Sequence, residues 1–119
     1  MKSRLKPRVQ VRIFVDGSLP LGPGKAAMLA QINAEGSISG ASRAMGMSYK
    51  KAWYLVHHMN CCFNEPLVVA DRGGAKGGAR LTPMGHKVLA LYQAIQAGAE
   101  KATLQTVCDL AALVHRRAH

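Results

Sequence analysis

The stretch "GSISGASRAMGMSYKKAWYLVHHMN", residues 36–60, limits the fold more than any other part of the chain. It opens on small residues, breaks at Gly46-Met47, and runs into a segment with two lysines, a tryptophan and two histidines. Ser39 is read as the cap of a short helix over about residues 40–45, because a serine hydroxyl satisfies free amides of a first turn. Gly46 stops that helix, and Ser48 caps a longer one that runs to about residue 62. The longer helix has an apolar stripe at Tyr49, Ala52, Trp53, Val56, Met59 and Phe63, spaced by three or four. Lys50, Lys51, Tyr54, His57 and His58 form its wet face. Two lysines beside a helix N-terminus sit where the dipole prefers acid, a local cost that a phosphate backbone would relieve.

The flanking segments supply a frame. "RVQVRIFVDG" alternates Val9, Val11, Ile13 and Val15 against Arg8, Gln10, Arg12 and Phe14, the period of a strand, and ends at Asp16-Gly17. Pro23 opens a helix over roughly 24–34, with Ala26, Leu29, Ala30 and Asn33 or Ile32 inward. "PLVVADRGGAKGGARL" reads as a hairpin: a β run at Leu67 to Ala70, a glycine-rich tip carrying Arg72, Lys76 and Arg80, and a return at Leu81. Thr82-Pro83 then caps and opens a helix with Val88, Leu91, Tyr92 and Ile95 as its stripe. A further helical segment, about 100–117, has Leu104, Val107, Leu110, Ala111 and Val114 along one side, and Gly98, which can bend or break a helix, leaves one helix or two open.

Charge narrows the partner. Sixteen Lys+Arg stand against six Asp+Glu, a net +10, in 119 residues that suffice for one domain. Such an excess points to a polyanion, and no basic helix carries enough Trp, Phe or Leu opposite its charges to favour a membrane surface. No apolar run reaches the length of a membrane span and the N-terminus has no apolar leader core, so a cytoplasmic protein is expected. Three cysteines, Cys61, Cys62 and Cys108, cannot pair off, which fits a reducing compartment.

The fold class that follows is mainly α with a small β component: a winged helix-turn-helix with an N-terminal strand, a β-hairpin wing and a long C-terminal helical region for dimerisation. In that layout the short helix braces the longer one, which enters a DNA major groove with its N-terminal residues nearest the bases. Candidate contacts are Ser39, Ser48, Tyr49, Lys50, Lys51, Tyr54 and His57, with Arg72, Lys76 and Arg80 from the wing. The glycines of the wing, Gly73, Gly74, Gly77 and Gly78, let its backbone approach phosphates or enter a minor groove. The plain alternative for Lys50 and Lys51 is a solvated helix face, which the surrounding architecture disfavours. Trp53, in the apolar stripe, is expected to pack in the core rather than stack on a base.

The 36–60 segment, followed by "GGAKGGARLTPMGHKVLALYQAI", resembles the N-terminal DNA-binding domain of the ModE family of molybdate-responsive transcriptional regulators. The resemblance covers roughly residues 22–97 and rests on Gly-Ser-Ile-Ser, Ser-Tyr-Lys-x-Ala-Trp, Met-Asn, Gly-Gly-x-x-Gly-Gly and Leu-Thr-x-x-Gly. It implies a LysR-like winged helix and a homodimer that binds an inverted repeat near promoters of molybdenum-related genes. It places Ser48, Tyr49, Lys50 and Lys51 at the start of the recognition helix, Trp53 at the family's tryptophan and Gly73 to Arg80 at its wing. The family's molybdate-binding domains are not expected here, since an Ala- and Leu-rich helix follows residue 98 and the sequence stops at His119. The regulator is then constitutive, answers another signal, or works with a separate sensor protein.

Other chemistries fit the sequence less well. "GGAKGG" lacks the Gly-Lys-Ser/Thr ending of a nucleotide-binding loop. In "HHMNCC", His57 with Cys61 and His58 with Cys62 are i, i+4 pairs, each able to present a nitrogen and a sulfur to one metal ion. The two pairs point about 100° apart, so one ion cannot easily use all four, though a dimer axis could complete a site. Ordinary packing for Cys61 or Cys62 is the alternative to this metal or redox switch. The six acidic residues are scattered and no nucleophile motif appears, so neither an enzyme nor a cofactor is expected. A non-specific nucleoid or architectural DNA-binding protein is the remaining rival.

Overall fold

The computed structural model of the chain describes residues 6–71 and 77–115. Its elements run β1 (Ile13–Val15), β2 (Ser18–Leu21), α1 (Pro23–Glu35), α2 (Ile38–Ala44), α3 (Tyr49–Cys62), β3 (Val68–Ala70), β4 (Ala79–Leu81) and α4 (Pro83–Ala111). The strands form two separate antiparallel hairpins, β1–β2 and β3–β4.

Four helices and the second hairpin enclose one core. Met28, Leu29 and Ile32 of α1 meet Ala41 of α2 and Ala52, Val56 and Met59 of α3. Leu67, Val68, Ala79 and Leu81 close it from the hairpin, and Val88, Leu89 and Tyr92 from α4. In α1 the inward set includes Met28, while Ala30 is half-buried and Asn33 is exposed, so the expected stripe is rotated toward Met28 and Ile32.

Local chemistry explains the helix ends. Pro23 occupies the first turn of α1. The end of α2 is a Schellman turn: Met47 N–H donates to Ser42 O at 3.0 Å and Gly46 N–H to Arg43 O at 3.1 Å. Gly46 has φ 66°, a left-handed conformation that favours glycine. The cap of α2 is Ser37, whose hydroxyl accepts from Gly40 N–H at 2.8 Å, not Ser39. Ser37 has the extended backbone that a cap requires, whereas Ser39 already lies inside the helix and accepts a 2.8 Å bond from Arg43 Nη1.

The expected N-terminal strand is only partly formed. Asp16 and Gly17, both with positive φ, make the two-residue turn of β1–β2. Pairing reaches from Val15↔Ser18 to Ile13↔Leu21 and then stops because β2 is four residues long. Residues 6–12 therefore have no strand partner, and side chains of α4 take over: Val11 N–H donates to Gln96 Oε1 at 3.0 Å and Tyr92 Oη–H to Val11 O at 2.8 Å. Gln96 Nε2 also donates to Val9 O.

The chain after Thr82 is one helix of 29 residues and not two. Thr82 Oγ1 accepts from Gly85 N–H at 2.9 Å, with Pro83 in the first turn. Gly98 does not interrupt it, because glycine keeps its backbone donor and its cost of about 1 kcal/mol against alanine is small beside the bonds on either side. Beyond residue 96 the helix leaves the core, and Leu104 and Leu110 are exposed with Leu113 and Val114 just after it.

Candidate nucleic-acid interface

Ser48 starts the candidate helix as expected: its hydroxyl accepts from Lys51 N–H at 3.1 Å. Tyr49, Lys50 and Lys51 occupy the first turn, exposed, with no acidic residue among them. The unpaired amides of that turn and two ammonium groups give one end of α3 a field that favours an anion. Tyr54 and His57 are also exposed, on the following turns.

The wing is held against α3 by a residue that pattern reading overlooked. Asn60 Oδ1 accepts from Leu67 N–H at 2.8 Å and Val68 N–H at 3.1 Å, while its Nδ2 donates to Val68 O at 3.0 Å. A polar side chain at a flank of the buried arc was the available signal, but only as part of the Met-Asn motif. The hairpin pairs Val68↔Leu81, Val69↔Arg80 and Ala70↔Ala79, and Ala79 N–H donates to Gly36 O at 2.9 Å, which docks it on the α1–α2 junction. Arg80 Nε lies 3.3 Å from Asp71 Oδ1, both side chains about half exposed. An exposed pair of this kind is worth little and yields readily to a phosphate. Arg72 and Lys76, the other wing candidates, lie outside the described residues, as do Gly73 and Gly74.

Trp53 is not a core residue. Its side chain is 44% exposed. The buried residues of α3, Ala52, Val56 and Met59, span a narrow arc, and Trp53 falls about 100° round the helix from Ala52. It turns toward the wing, stacks on His57 with centroids 5.0 Å apart and planes 6° from parallel, and meets Tyr54 edge-on at 5.7 Å. Tyr49, Trp53, Val56, His57 and Asn60 thus form one wall of a groove of about 450 Å³ whose other wall is the hairpin.

The histidine–cysteine pairs stay separate. Cys61 Sγ lies 3.8 Å from His57 Nε2, and Cys62 Sγ lies 3.7 Å from His58 Nδ1. All four residues are exposed, so neither cysteine has the packing role expected for one of them. Lys25 Nζ sits 2.8 Å from His58 Nδ1, which sets a cationic group beside the second pair. Among the described residues no three His, Cys, Asp or Glu side chains gather in a metal-binding arrangement. Among them too, no helix is long and apolar enough to cross a membrane.

No family model matches the chain. Individual relatives do. It is 50% identical over 82 residues to the molybdenum-pterin-binding protein MopB of Rhodobacter capsulatus, covering 68% of this chain and 30% of that one. It is 38% identical over 96 residues to the transcriptional regulator ModE of Yersinia pestis, and 33% over 96 to the DNA-binding transcriptional dual regulator ModE of Escherichia coli K12. Each of these two alignments covers 80% of this chain and 34% of the relative. Over its winged-helix region the chain belongs to the ModE family. It spans about a third of the length of the curated ModE relatives it matches. Solved structures agree on the fold. LysG of Corynebacterium glutamicum superposes with a TM-score of 0.56 at 22% identity, covering 76% of this chain and 30% of that one. A second LysR family transcriptional regulator gives 0.54 at 15%, covering 69% and 27%. The fold of this region is therefore a winged helix, in which α2 and α3 are the helix-turn-helix and β3–β4 the wing.

Proposed function

We propose that this chain is a DNA-binding transcriptional regulator of the ModE type that acts as a homodimer on an inverted repeat near molybdenum-related genes. One observation carries the reading: the Ser48-capped end of α3 projects Tyr49, Lys50 and Lys51 from the domain, next to a wing, in a chain of net charge +10. Lys50 and Lys51 bind phosphates or base edges, Tyr54 and His57 extend the contact along α3, and Ser48 both caps the helix and lines its approach. Arg72, Lys76 and Arg80 contact the backbone from the wing, and Ser39 lies behind at the α2 start. Leu104, Leu110, Leu113 and Val114, exposed on or just past the outer half of α4, support a helix-to-helix dimer contact there. Two recognition helices then reach successive major grooves, about 34 Å apart.

The test is selection of bound fragments from sheared genomic DNA, sequenced, with molybdate present and absent. An enriched inverted repeat beside molybdenum-related genes is the expected result. An enriched repeat that molybdate leaves unchanged assigns sensing to another protein or another signal. No enriched motif refutes the specific regulator in favour of an architectural protein, since a specific regulator prefers its site by ~10³ or more.

A further inference from the structure

From the groove between α3 and the wing we infer a binding site for one sugar–phosphate strand of duplex DNA, with the indole of Trp53 as its floor. The inference rests on the DNA reading above and extends it to a residue that reading leaves out. A helix in a major groove and a hairpin in the neighbouring minor groove straddle the single backbone strand that separates the two grooves. The space between α3 and β3–β4 is where that strand passes. This space is about 450 Å³, within the range of sites that hold a nucleotide-sized group.

Its lining fits such a strand. Tyr49, Trp53 and His57 are spaced by four and share one flank of α3, so three rings form a ladder along the groove. Flat rings offer apolar faces to deoxyribose and do not depend on base sequence. Trp53 is pre-ordered by its parallel stack on His57, which lowers the entropy lost when a sugar settles on it. Lys50, three residues before Trp53 and about 60° further round the helix, stands at the outer lip for the phosphates. Among the described residues Asp71 is the one carboxylate in the lining, and Arg80 at 3.3 Å compensates its charge. Nothing in the packing of the core explains a tryptophan left 44% exposed at this position.

Trp53 is the single tryptophan of the chain, so it reports on its own site. The probe is a 30-base-pair duplex recovered in the genomic selection, and binding is followed separately by anisotropy of a label on the DNA. At saturation, acrylamide quenching of Trp53 emission falls severalfold. Trp53→Ala weakens duplex binding by roughly tenfold, as for loss of an aromatic platform, with an unchanged thermal transition. Trp53→Phe restores most of the affinity. A duplex that binds while Trp53 stays equally open to acrylamide overturns the groove assignment and leaves the DNA reading intact. Equal protection by duplex RNA of the same sequence overturns duplex DNA as the occupant. If no duplex binds at all, the functional reading fails and this inference falls with it.

Discussion

Replacing Gly85 with alanine probes the closest approach in the fold. Gly85 lies in the first turn of α4, and a Cβ built on it meets the carbonyl oxygen of Leu67 at 2.2 Å, with Leu67 C and Cα at 3.1 and 3.3 Å. These are backbone atoms, so no side chain can swing aside. The gap has to open from 2.2 Å to at least 3.0 Å, a shift of about 0.8 Å. The same carbonyl accepts a 2.9 Å bond from Thr82 N–H, and a retreat of that size stretches it beyond hydrogen-bonding range. Overpacking costs about 2 kcal/mol and the weakened bond about 1, against a gain of about 1 from replacing a helical glycine. The net loss is about 2 kcal/mol, which lowers the melting temperature of a domain of this size by roughly 8 °C. Gly98→Ala is the control in the same helix. No atom lies within 4 Å of its built Cβ, and the change is expected to stabilise by about 1 kcal/mol. Thermal unfolding followed by circular dichroism at 222 nm compares the three proteins. A Gly85→Ala protein that melts at or above the parent temperature refutes the packing argument.

Three further outcomes follow from the same contacts. Asn60→Ala removes three hydrogen bonds between α3 and the backbone of Leu67 and Val68 and is expected to cost about 3 kcal/mol in urea unfolding, with a loss under about 1 assigning them little weight. Lys51→Ala should leave the melting temperature unchanged while the log–log salt slope of DNA binding becomes shallower by about 1.8, two contacts per dimer at about 0.9 each; equal loss of stability and binding would make the residue structural. Replacing Leu104 and Leu110 together with glutamate should yield a monomer in sedimentation velocity with an intact fold, because both side chains are exposed within a single chain; a dimer that survives places the contact elsewhere.

Features that depend on a few adjacent residues were legible in the sequence, and features set by distant partners were not. Ser48, Gly46 and Thr82-Pro83 each act within one helical turn, and each stands where the pattern puts it. Ser37 and Ser39 are two residues apart with the same side chain, so only the backbone of the entering loop chooses between them. Trp53 belongs to the apolar stripe by spacing, yet only Ala52, Val56 and Met59 of α3 are buried, and how wide an arc is covered depends on the neighbouring elements rather than on the spacing. The alternation of residues 8–15 reports an extended chain correctly, but whether extended chain becomes a strand depends on a partner that β2 is too short to provide. Gly98 shows the reverse case, a residue whose local preference is overridden by the 28 other positions of its helix. At the candidate site, Lys50, Lys51 and Tyr54 of the exposed face were readable from period alone; Tyr49, which the same spacing assigns to the apolar stripe, is exposed beside them, and the groove and its Asn60 clamp needed the wing to be in place.

The clasp of the leading segment by α4 also has a consequence in time. Val11 waits for Gln96, a partner 85 residues further along the chain. At about 5–20 residues per second, synthesis of that interval takes roughly 4–17 s, during which the segment has nothing to hold it. The fold is thus fastened at its beginning by almost the last part of its core to leave the ribosome. A stalled chain that ends before Tyr92 has every element of the helix-turn-helix and still lacks the latch.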